Sequence, residues 1–262
     1  MLIDLTGKNA LVCGSTQGMG KAIALQLAAS GASITLFARS EEKLKQVLKE
    51  LPSAIGQHHQ FLVADFLNPD EVNEKVLNLV SDGKTIHIVI NNTGGPAPGT
   101  ALDANVADYL KGFNAHLISY QHIVQTVVPG MKKAGYGRII NIISTSVKVP
   151  IAGLGVSNTI RGAVASWAKT LASELAQFGI TVNNILPGYT NTGRLESLFE
   201  KRAKEAGITR EEYTKQAMSV IPARRLADPK ETAYAVTFLA SAQAAYITGI
   251  NLPVDGGNTP CL

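Results

Sequence analysis

The chain has 262 residues, a formal net charge of +4 and a hydrophobic fraction of 45%. This composition is typical of a globular protein whose core is large enough to fold without disulfides. Lys and Arg form no dense run and no apolar stretch is long enough to span a membrane, so neither nucleic acid nor a membrane is an expected partner.

Short β-branched or apolar runs alternate with longer stretches of helical periodicity along the whole chain. Buried strands separated by amphipathic helices predict an α/β fold, a doubly wound parallel sheet with helices on both faces. No linker or internal repeat divides the chain, so we predict a single domain over residues 1–262. The predicted strands are Asn9–Cys13, Ser33–Phe37, His59–Val63, Ile86–Ile90, Arg138–Ile143 and Thr181–Leu186, and the clearest helices are Lys21–Ser30, Glu41–Leu51 and Asp70–Ser81.

The first predicted strand runs into a glycine-rich turn, "CGSTQGMG" over Cys13–Gly20, and then into a helix, "KAIALQLAAS". Glycines at 14, 18 and 20 allow the backbone to turn tightly and to approach a pyrophosphate at the N-terminus of the helix. Glycines also serve ordinary tight turns, but a position between a strand and a helix favours dinucleotide binding.

The second predicted strand ends in "TLFARS". Nineteen positions after Gly20, where a dinucleotide-binding fold places the residue that meets the adenosine ribose, this chain has Arg39. A carboxylate at this place would repel a 2′-phosphate, whereas a guanidinium binds one through paired hydrogen bonds. We therefore predict NADP(H) as the cofactor. The alternative is that Arg39 is a solvated charge at a strand end.

Four further motifs follow in order along the chain: "NNTGG" at Asn91–Gly95, "GRIINIIS" at Gly137–Ser144, "LPGYTNT" at Leu186–Thr192 and "ITGINLPVDGG" at Ile247–Gly257. With the glycine-rich turn, and at matching spacing, they resemble the short-chain dehydrogenase/reductase (SDR) family over nearly the whole chain. The resemblance implies a Rossmann-type dinucleotide-binding fold and an NADP(H)-dependent oxidoreductase that acts on a carbonyl or alcohol group of a small molecule.

The same resemblance implies which residues contact the cofactor. They fall into four groups along the dinucleotide: the pyrophosphate, the adenine, the ribose and the nicotinamide. In that order the residues are Gly14, Ser15, Gln17, Gly18, Met19 and Gly20; Asp65 and Phe66; Asn92 and Gly94; and Pro187, Gly188 and Thr192.

The catalytic pattern of the family is only partly present. Family members of this kind use an asparagine, a serine, and a tyrosine and lysine spaced as YxxxK. The serine corresponds to Ser144, but Ser157 stands thirteen positions later in place of the tyrosine, and Arg161 in place of the lysine. An aliphatic hydroxyl does not ionise near neutral pH and an arginine stays protonated. We therefore interpret the chain as a divergent member with an atypical active site, whose candidate residues include Ser157 and Arg161.

The asparagine of the pattern falls on His116, or on Asn114 if the register shifts by two residues. His116 is expected to titrate in the physiological range and is a candidate acid, or it is an ordinary interior histidine. Tyr189 is either a second acid or a wall of the pocket, and Arg161 is either functional or an ion-paired helix residue. The remaining histidines lack metal-ligand spacing, so no metal site is predicted.

Three functions remain open from the residues alone. The first is a working NADP(H) oxidoreductase whose acid is His116, Tyr189 or a water held by Ser144 and Ser157. The second is different, non-redox chemistry on an acidic substrate bound by Arg161. The third is an NADP(H)-binding sensor without turnover, because a fold does not determine a function.

The segment 191–222 is the least regular part of the chain and contains a charged helical stretch, "ESLFEKRAKEAGITREEYTKQ". We expect this segment to cover the substrate as a mobile element. The two cysteines, Cys13 and Cys261, lie at opposite ends of the chain and predict no disulfide framework. With no signal-peptide pattern at the start, we expect a cytoplasmic protein. The family resemblance implies a homo-oligomer, a tetramer or a dimer.

Overall fold

The computed structural model of the chain describes residues 2–54 and 56–261. Seven parallel strands form one sheet in the order β3-β2-β1-β4-β5-β6-β7. This order confirms the prediction of a doubly wound α/β fold. The strands are β1 (Asn9–Cys13), β2 (Ser33–Ala38), β3 (Gln60–Val63), β4 (Ile88–Asn91), β5 (Gly137–Ile142), β6 (Ile180–Pro187) and β7 (Asn251–Val254).

Helices cover both faces of the sheet. One core contains buried side chains of α3, α5 and α6, and the other contains those of α1, α2 and α9. None of the described helices is both long and apolar enough to cross a membrane. The helices are α1 (Gly18–Ala29), α2 (Glu41–Glu50), α3 (Pro69–Val80), α4 (Val106–Phe113), α5 (Ser119–Ala134), α6 (Gly155–Leu175), α7 (Gly193–Ala206), α8 (Arg210–Val220) and α9 (Pro229–Ala240).

The strands are apolar on both sides because each face of the sheet carries its own core. In β1, Leu11 and Cys13 pack into one core while Ala10 and Val12 pack into the other. This alternation follows from the period of two along a strand. It explains why the strands read in the sequence as continuous apolar runs.

Two of the predicted strands begin later than expected, and at each start a histidine side chain accepts a backbone N–H group of the neighbouring strand. His59 Nδ1 accepts the backbone N–H of Ile34 at 3.0 Å, and β3 begins one residue later. His87 Nδ1 accepts the backbone N–H of Asn9 at 3.1 Å, and β4 begins with the next residue. Boundaries of this kind depend on side-chain contacts between distant segments.

Four asparagines cross the sheet side by side at matched register, from β4 to β7. The side-chain amides of Asn91, Asn141 and Asn184 each donate to the next asparagine, ending on Asn251, at 2.8 Å in every case. Paired amides satisfy most of these polar groups, which would otherwise be costly to bury, although Asn91 Oδ1 has no partner among the described residues. The row links four neighbouring strands, from the last residue of β4 to the first residue of β7.

The segment 191–222 is largely helical, which confirms the helical pattern predicted within it. It forms α7 and α8, which pack on each other through Phe199 and Tyr213, with ring centroids 5.3 Å apart. Thr209 and Glu212 form a reciprocal capping box at the start of α8. The predicted helical stretch is therefore two helices, and the second has its own N-terminal cap.

Candidate active site

A cavity of about 920 Å³ opens at the carboxyl ends of the strands. It lies where the strand order reverses, between β1 and β4, which is where open α/β sheets bind their ligands. Segments that follow β1, β2, β3, β4 and β6 line it, together with residues of β5, of α6 and of the turn that contains His116. The cavity is therefore built from parts of the chain that are far apart in sequence.

The glycine-rich turn at one end of the cavity has no room for a side chain at Gly14 or Gly20. Gly14 has φ +59°, and a β-carbon there would lie 2.1 Å from the carbonyl oxygen of Asn92. A β-carbon on Gly20 would lie 2.2 Å from the carbonyl oxygen of Gly14. The amide of Asn92 donates to the carbonyls of Cys13 and Gly14 at 3.2 Å and ties this turn to the end of β4.

The start of α1 fits the phosphates of a dinucleotide. Gln17 precedes the helix and its side chain does not cap it. The first backbone N–H groups of a helix have no intrahelical acceptor, and together with the helix dipole they attract anions. The turn and the helix start thus provide the close backbone approach that a pyrophosphate requires.

Most of the predicted cofactor residues border this one cavity. Arg39 is exposed at the end of β2, with no carboxylate bonded to it in the described part of the chain. The predicted contacts that line the cavity are Gly14, Gln17, Gly18, Met19, Gly20, Arg39, Asp65, Phe66, Asn92, Gly94 and Thr192.

Three predicted contacts lie outside the cavity lining. Ser15 is buried and its hydroxyl accepts the backbone N–H of Phe37 at 3.0 Å, which is a structural role. Pro187 is the last residue of β6 and Gly188 follows it beside β7, where Gly188 donates its N–H to the carbonyl of Val254 at 3.0 Å. Their contacts with a nicotinamide stay a prediction.

Of the four candidate catalytic residues, His116 and Arg161 line the cavity, whereas Ser144 and Ser157 are absent from the lining that the structure describes. Ser144 Oγ accepts the N–H of Ser146 at 3.1 Å and caps a short helical turn. Ser157 is buried in α6, four residues before Arg161 on the same helix. A role for either serine in catalysis stays a prediction.

His116 occupies a single π-helical turn, Asn114–Ile118, between α4 and α5. Such turns are frequent at functional sites. His116 is buried and lines the cavity, whereas Asn114 is exposed and does not. The structure therefore brings the histidine, and not the asparagine two residues earlier, to the site.

Two hydroxyl groups fix the imidazole of His116. Thr93 Oγ lies 2.5 Å from His116 Nδ1 and 2.7 Å from the phenol oxygen of Tyr120. The other ring nitrogen, Nε2, is buried with no hydrogen-bond partner among the described residues. A buried polar atom without a partner is rare, and this one belongs to a residue that lines the cavity.

The pKa of His116 lies well below its usual value of 6.5 because the ring is buried. The positive charges of Arg161 and Arg194 lower this pKa further. The expectation that His116 titrates in the physiological range is therefore wrong. Desolvation and two neighbouring cations keep the imidazole neutral at neutral pH.

The depressed pKa predicts a specific dependence of stability on pH. The unfolded chain binds a proton on His116 more readily than the folded chain does. The free energy of unfolding is therefore undiminished by His116 above about pH 6.5, and it falls by up to about 1.4 kcal/mol per pH unit as the pH falls toward the folded pKa. Urea unfolding at about pH 7.5 and about pH 5.5 should show a smaller loss of stability for His116→Gln than for the wild type. His58→Gln, at an exposed position, should keep the wild-type loss. Equal losses in all three proteins would contradict burial of a neutral His116.

Two functional candidates beside His116 were not predicted from the sequence. Thr93 lies inside the quoted "NNTGG" motif, and Tyr120 follows His116 by four residues, a spacing that places both on one helix face. Burial raises the pKa of Tyr120 to about 12, although the charge of Arg161 acts in the opposite direction. Tyr120 is therefore a neutral phenol that holds Thr93 and the imidazole.

Tyr189, the other candidate acid, lies away from the large cavity. Its ring packs on Phe199 with centroids 5.5 Å apart, and it lines a separate small pocket with Ile221 and Arg225. The aromatic contact with α7 turns the side chain to that side. Tyr189 supports α7 and does not reach the proposed chemical end of the cavity.

Residues 14–259 match the family model described as Enoyl-(Acyl carrier protein) reductase. The 3-oxoacyl-[acyl-carrier-protein] reductase FabG of Vibrio cholerae is 33% identical over 97% of this chain and 98% of its own length. This chain belongs to the short-chain dehydrogenase/reductase family. Another SDR relative, the NADPH-dependent reductase BacG of Bacillus subtilis, is 29% identical over 97% of this chain and 98% of its own length.

Among SDR structures, the L-sorbose reductase of Gluconobacter frateurii, solved with NADPH and L-sorbose, matches with a TM-score of 0.93, 29% identity and full coverage of both chains. These similarities confirm the SDR resemblance, the Rossmann-type fold and the prediction of an NAD(P)-dependent short-chain oxidoreductase. The prediction of NADP(H) is confirmed through relatives that are named for NADPH or were solved with it.

Proposed function

We propose that this chain is an NADP(H)-dependent oxidoreductase that interconverts a carbonyl and an alcohol group of a small molecule at an atypical active site. One observation carries the proposal. A single cavity extends from the glycine-rich turn and Arg39 to His116 and Arg161. A dinucleotide and a small substrate fit together in a space of this kind.

The cofactor would be held by residues that already have suitable geometry. The glycine-rich turn and the start of α1 would bind the pyrophosphate, and Arg39 would bind the 2′-phosphate. Asp65 and Phe66 would border the adenine, and Asn92 and Gly94 the ribose, with Thr192 at the nicotinamide end. When bound, NADPH supplies the hydride that is added to the carbonyl carbon.

His116 and Arg161 would act on the substrate oxygen. The neutral imidazole, with Nδ1 accepting from Thr93, would donate a hydrogen bond from Nε2 to that oxygen. The guanidinium of Arg161 would stabilise the negative charge that develops as hydride reaches the carbon, and the oxygen would then take its proton from water. Groups preorganised at a developing charge are a large source of catalysis, and a neutral imidazole is sufficient for this role.

The proposal also includes a segment that covers the substrate, a cytoplasmic location and a homo-oligomeric state. We propose that residues 191–222 cover the substrate, which is supported by the contact of Arg194 in α7 with the loop carbonyls of Gly95 and Pro96. A cytoplasmic location is supported by two free cysteines. A homo-oligomer is supported by the exposed apolar side chains of Val106 and Leu110 on α4.

Titration of the purified chain with NADPH and with NADH, followed by NADPH fluorescence, tests the first half of the proposal. We expect saturable binding with preference for NADPH. A screen of carbonyl compounds for loss of NADPH absorbance tests the second half, and at least one compound should be reduced. Absence of NADPH binding would contradict the proposal outright.

A second candidate function is an NADP(H)-binding sensor without turnover. It is favoured by one observation, since Ser144 and Ser157 are absent from the described lining of the cavity. Tight NADPH binding with no reduction of any compound in the screen would support the sensor.

A further inference from the structure

Arg161 is a buried cation without an acidic partner. Its side chain is 6% exposed, and Nη1 donates to the carbonyl of Ile142 at 3.1 Å. Within residues 2–54 and 56–261 no carboxylate forms an ion pair with it. An arginine has five N–H donors, and a buried charge is costly unless it is paired. The site therefore lacks a negative charge that a ligand can supply.

A second arginine lies beside the first at the cavity wall. Arg194 donates through Nη1 to the carbonyl of Gly95 at 2.9 Å and through Nη2 to that of Pro96 at 3.1 Å. A β-carbon on Gly95 would lie 2.8 Å from Nη2 of Arg194 and 3.3 Å from Nη2 of Arg161. The two guanidinium groups thus border the same point of the wall, where only a glycine leaves them room.

The acidic residues along the cavity do not neutralise this pair. Asp65, Asp103 and Asp108 line the cavity, and Asp103 accepts the hydroxyl of Thr100 at 2.5 Å. No ion pair joins any of the three to Arg161 or Arg194 in the part of the chain that the structure describes. The pKa of Arg161 is lowered first by burial; Tyr120 acts in the opposite direction, and the positive charge of Arg194 lowers this pKa further.

We propose that Arg161 and Arg194 form a clamp for a carboxylate, so that the substrate is an oxo acid or the corresponding hydroxy acid. The planar guanidinium fork matches a carboxylate in two parallel hydrogen bonds, and a bound anion relieves both the burial of one cation and its repulsion by the other. This inference rests on the proposed function, because the same cavity carries both. His116 lines the same cavity as both arginines, which would place the reacting oxygen near the carboxylate.

The test uses benzoate and benzamide, which have nearly the same shape and differ in charge. Calorimetric titration of the full chain, with and without NADPH, should show benzoate binding at least about tenfold more tightly than benzamide. In the reduction screen each oxo acid is measured beside its methyl ester, and the acid should be the better substrate. Equal affinity for the two probes, no benzoate binding, or equal use of acid and ester would overturn the clamp.

Four variants distinguish loss of carboxylate binding from loss of the folded structure. Arg194→Gln should remove most of the preference for benzoate, and Arg194→Lys should retain part of it because the charge stays while the fork is lost. Gly95→Ala should weaken benzoate binding without changing any charge, since the added methyl group displaces Arg194. Gly193→Ala is the matched control, because nothing lies within 4 Å of its β-carbon position.

The same variants distinguish the two proposals. Loss of NADPH affinity in Arg194→Gln would assign this arginine to the phosphates of the cofactor and would overturn the clamp. Failure of the wild type to bind NADPH would contradict the proposed function. The clamp would still be tested by the affinities of the cofactor-free chain for benzoate and benzamide.

Discussion

His116→Ala is expected to lower kcat by about a hundredfold or more and to leave the Kd for NADPH within about twofold of the wild type. The physical reason is that His116 lines the cavity and that its Nε2 is a buried ring nitrogen with no partner in the described chain. Steady-state kinetics on a compound selected by the carbonyl screen, with NADPH fluorescence titration, gives both quantities. Unchanged kcat would remove His116 from the reaction.

The pH profile and a second variant make this result specific. A neutral His116 predicts constant activity above about pH 6.5 and a loss only at lower pH, where the imidazole gains a proton. If His116 were instead the acid that the sequence suggested, activity would fall at alkaline pH, where the imidazole has lost its proton. Thr93→Val removes the hydroxyl 2.5 Å from Nδ1 without changing side-chain size, and it should lower kcat less than His116→Ala does. An alkaline limb that disappears in His116→Ala would contradict the neutral imidazole.

Arg39→Ala is expected to weaken NADPH binding by about ten- to a hundredfold and NADH binding by no more than about twofold. Only NADPH carries the 2′-phosphate that a guanidinium at the end of β2 would bind. Arg39 is exposed beside the cavity, so its loss should not disturb the core. Fluorescence titration with both cofactors measures the two ratios.

A charge-preserving variant tests the geometry of this contact. Arg39→Lys should fall between the wild type and Arg39→Ala, because an ammonium keeps the attraction but not the paired hydrogen bonds. Lys49→Ala, at the end of α2 and outside the cavity lining, should change neither affinity. Equal losses of NADPH and NADH affinity in Arg39→Ala would assign the residue to a solvated strand end.

Much of the fold was predictable because its signals are local. Continuous apolar runs, helical periodicity and the turn between β1 and α1 depend on residues that are close in sequence. The same holds for Arg39, whose place follows from counting along one βαβ unit. The charged helical pattern of residues 196–216 was recognised in the same way, and the structure divides it into α7 and α8, with a capping box over Thr209–Glu212 at the start of α8.

The chemical end of the cavity was less predictable because burial and contact decide it. The choice between His116 and Asn114 depended on which side of a π-helical turn faces inward. The protonation state of His116 depended first on its burial and then on two arginines, one of them 45 and the other 78 residues further along the chain. Arg194 carried no signal of its own, since a single arginine after "LPGYTNT" is an ordinary surface residue.

The sequence by itself determined the order of strands and helices, the dinucleotide-binding turn and the absence of a tyrosine and lysine at positions 157 and 161, because each of these depends on neighbouring residues. Only the tertiary structure decided that Thr93, His116, Arg161 and Arg194 meet at one cavity, with Tyr120 buried behind them. Parallel strands bring the ends of distant segments to one edge of the sheet, and burial at that edge then sets which groups carry charge.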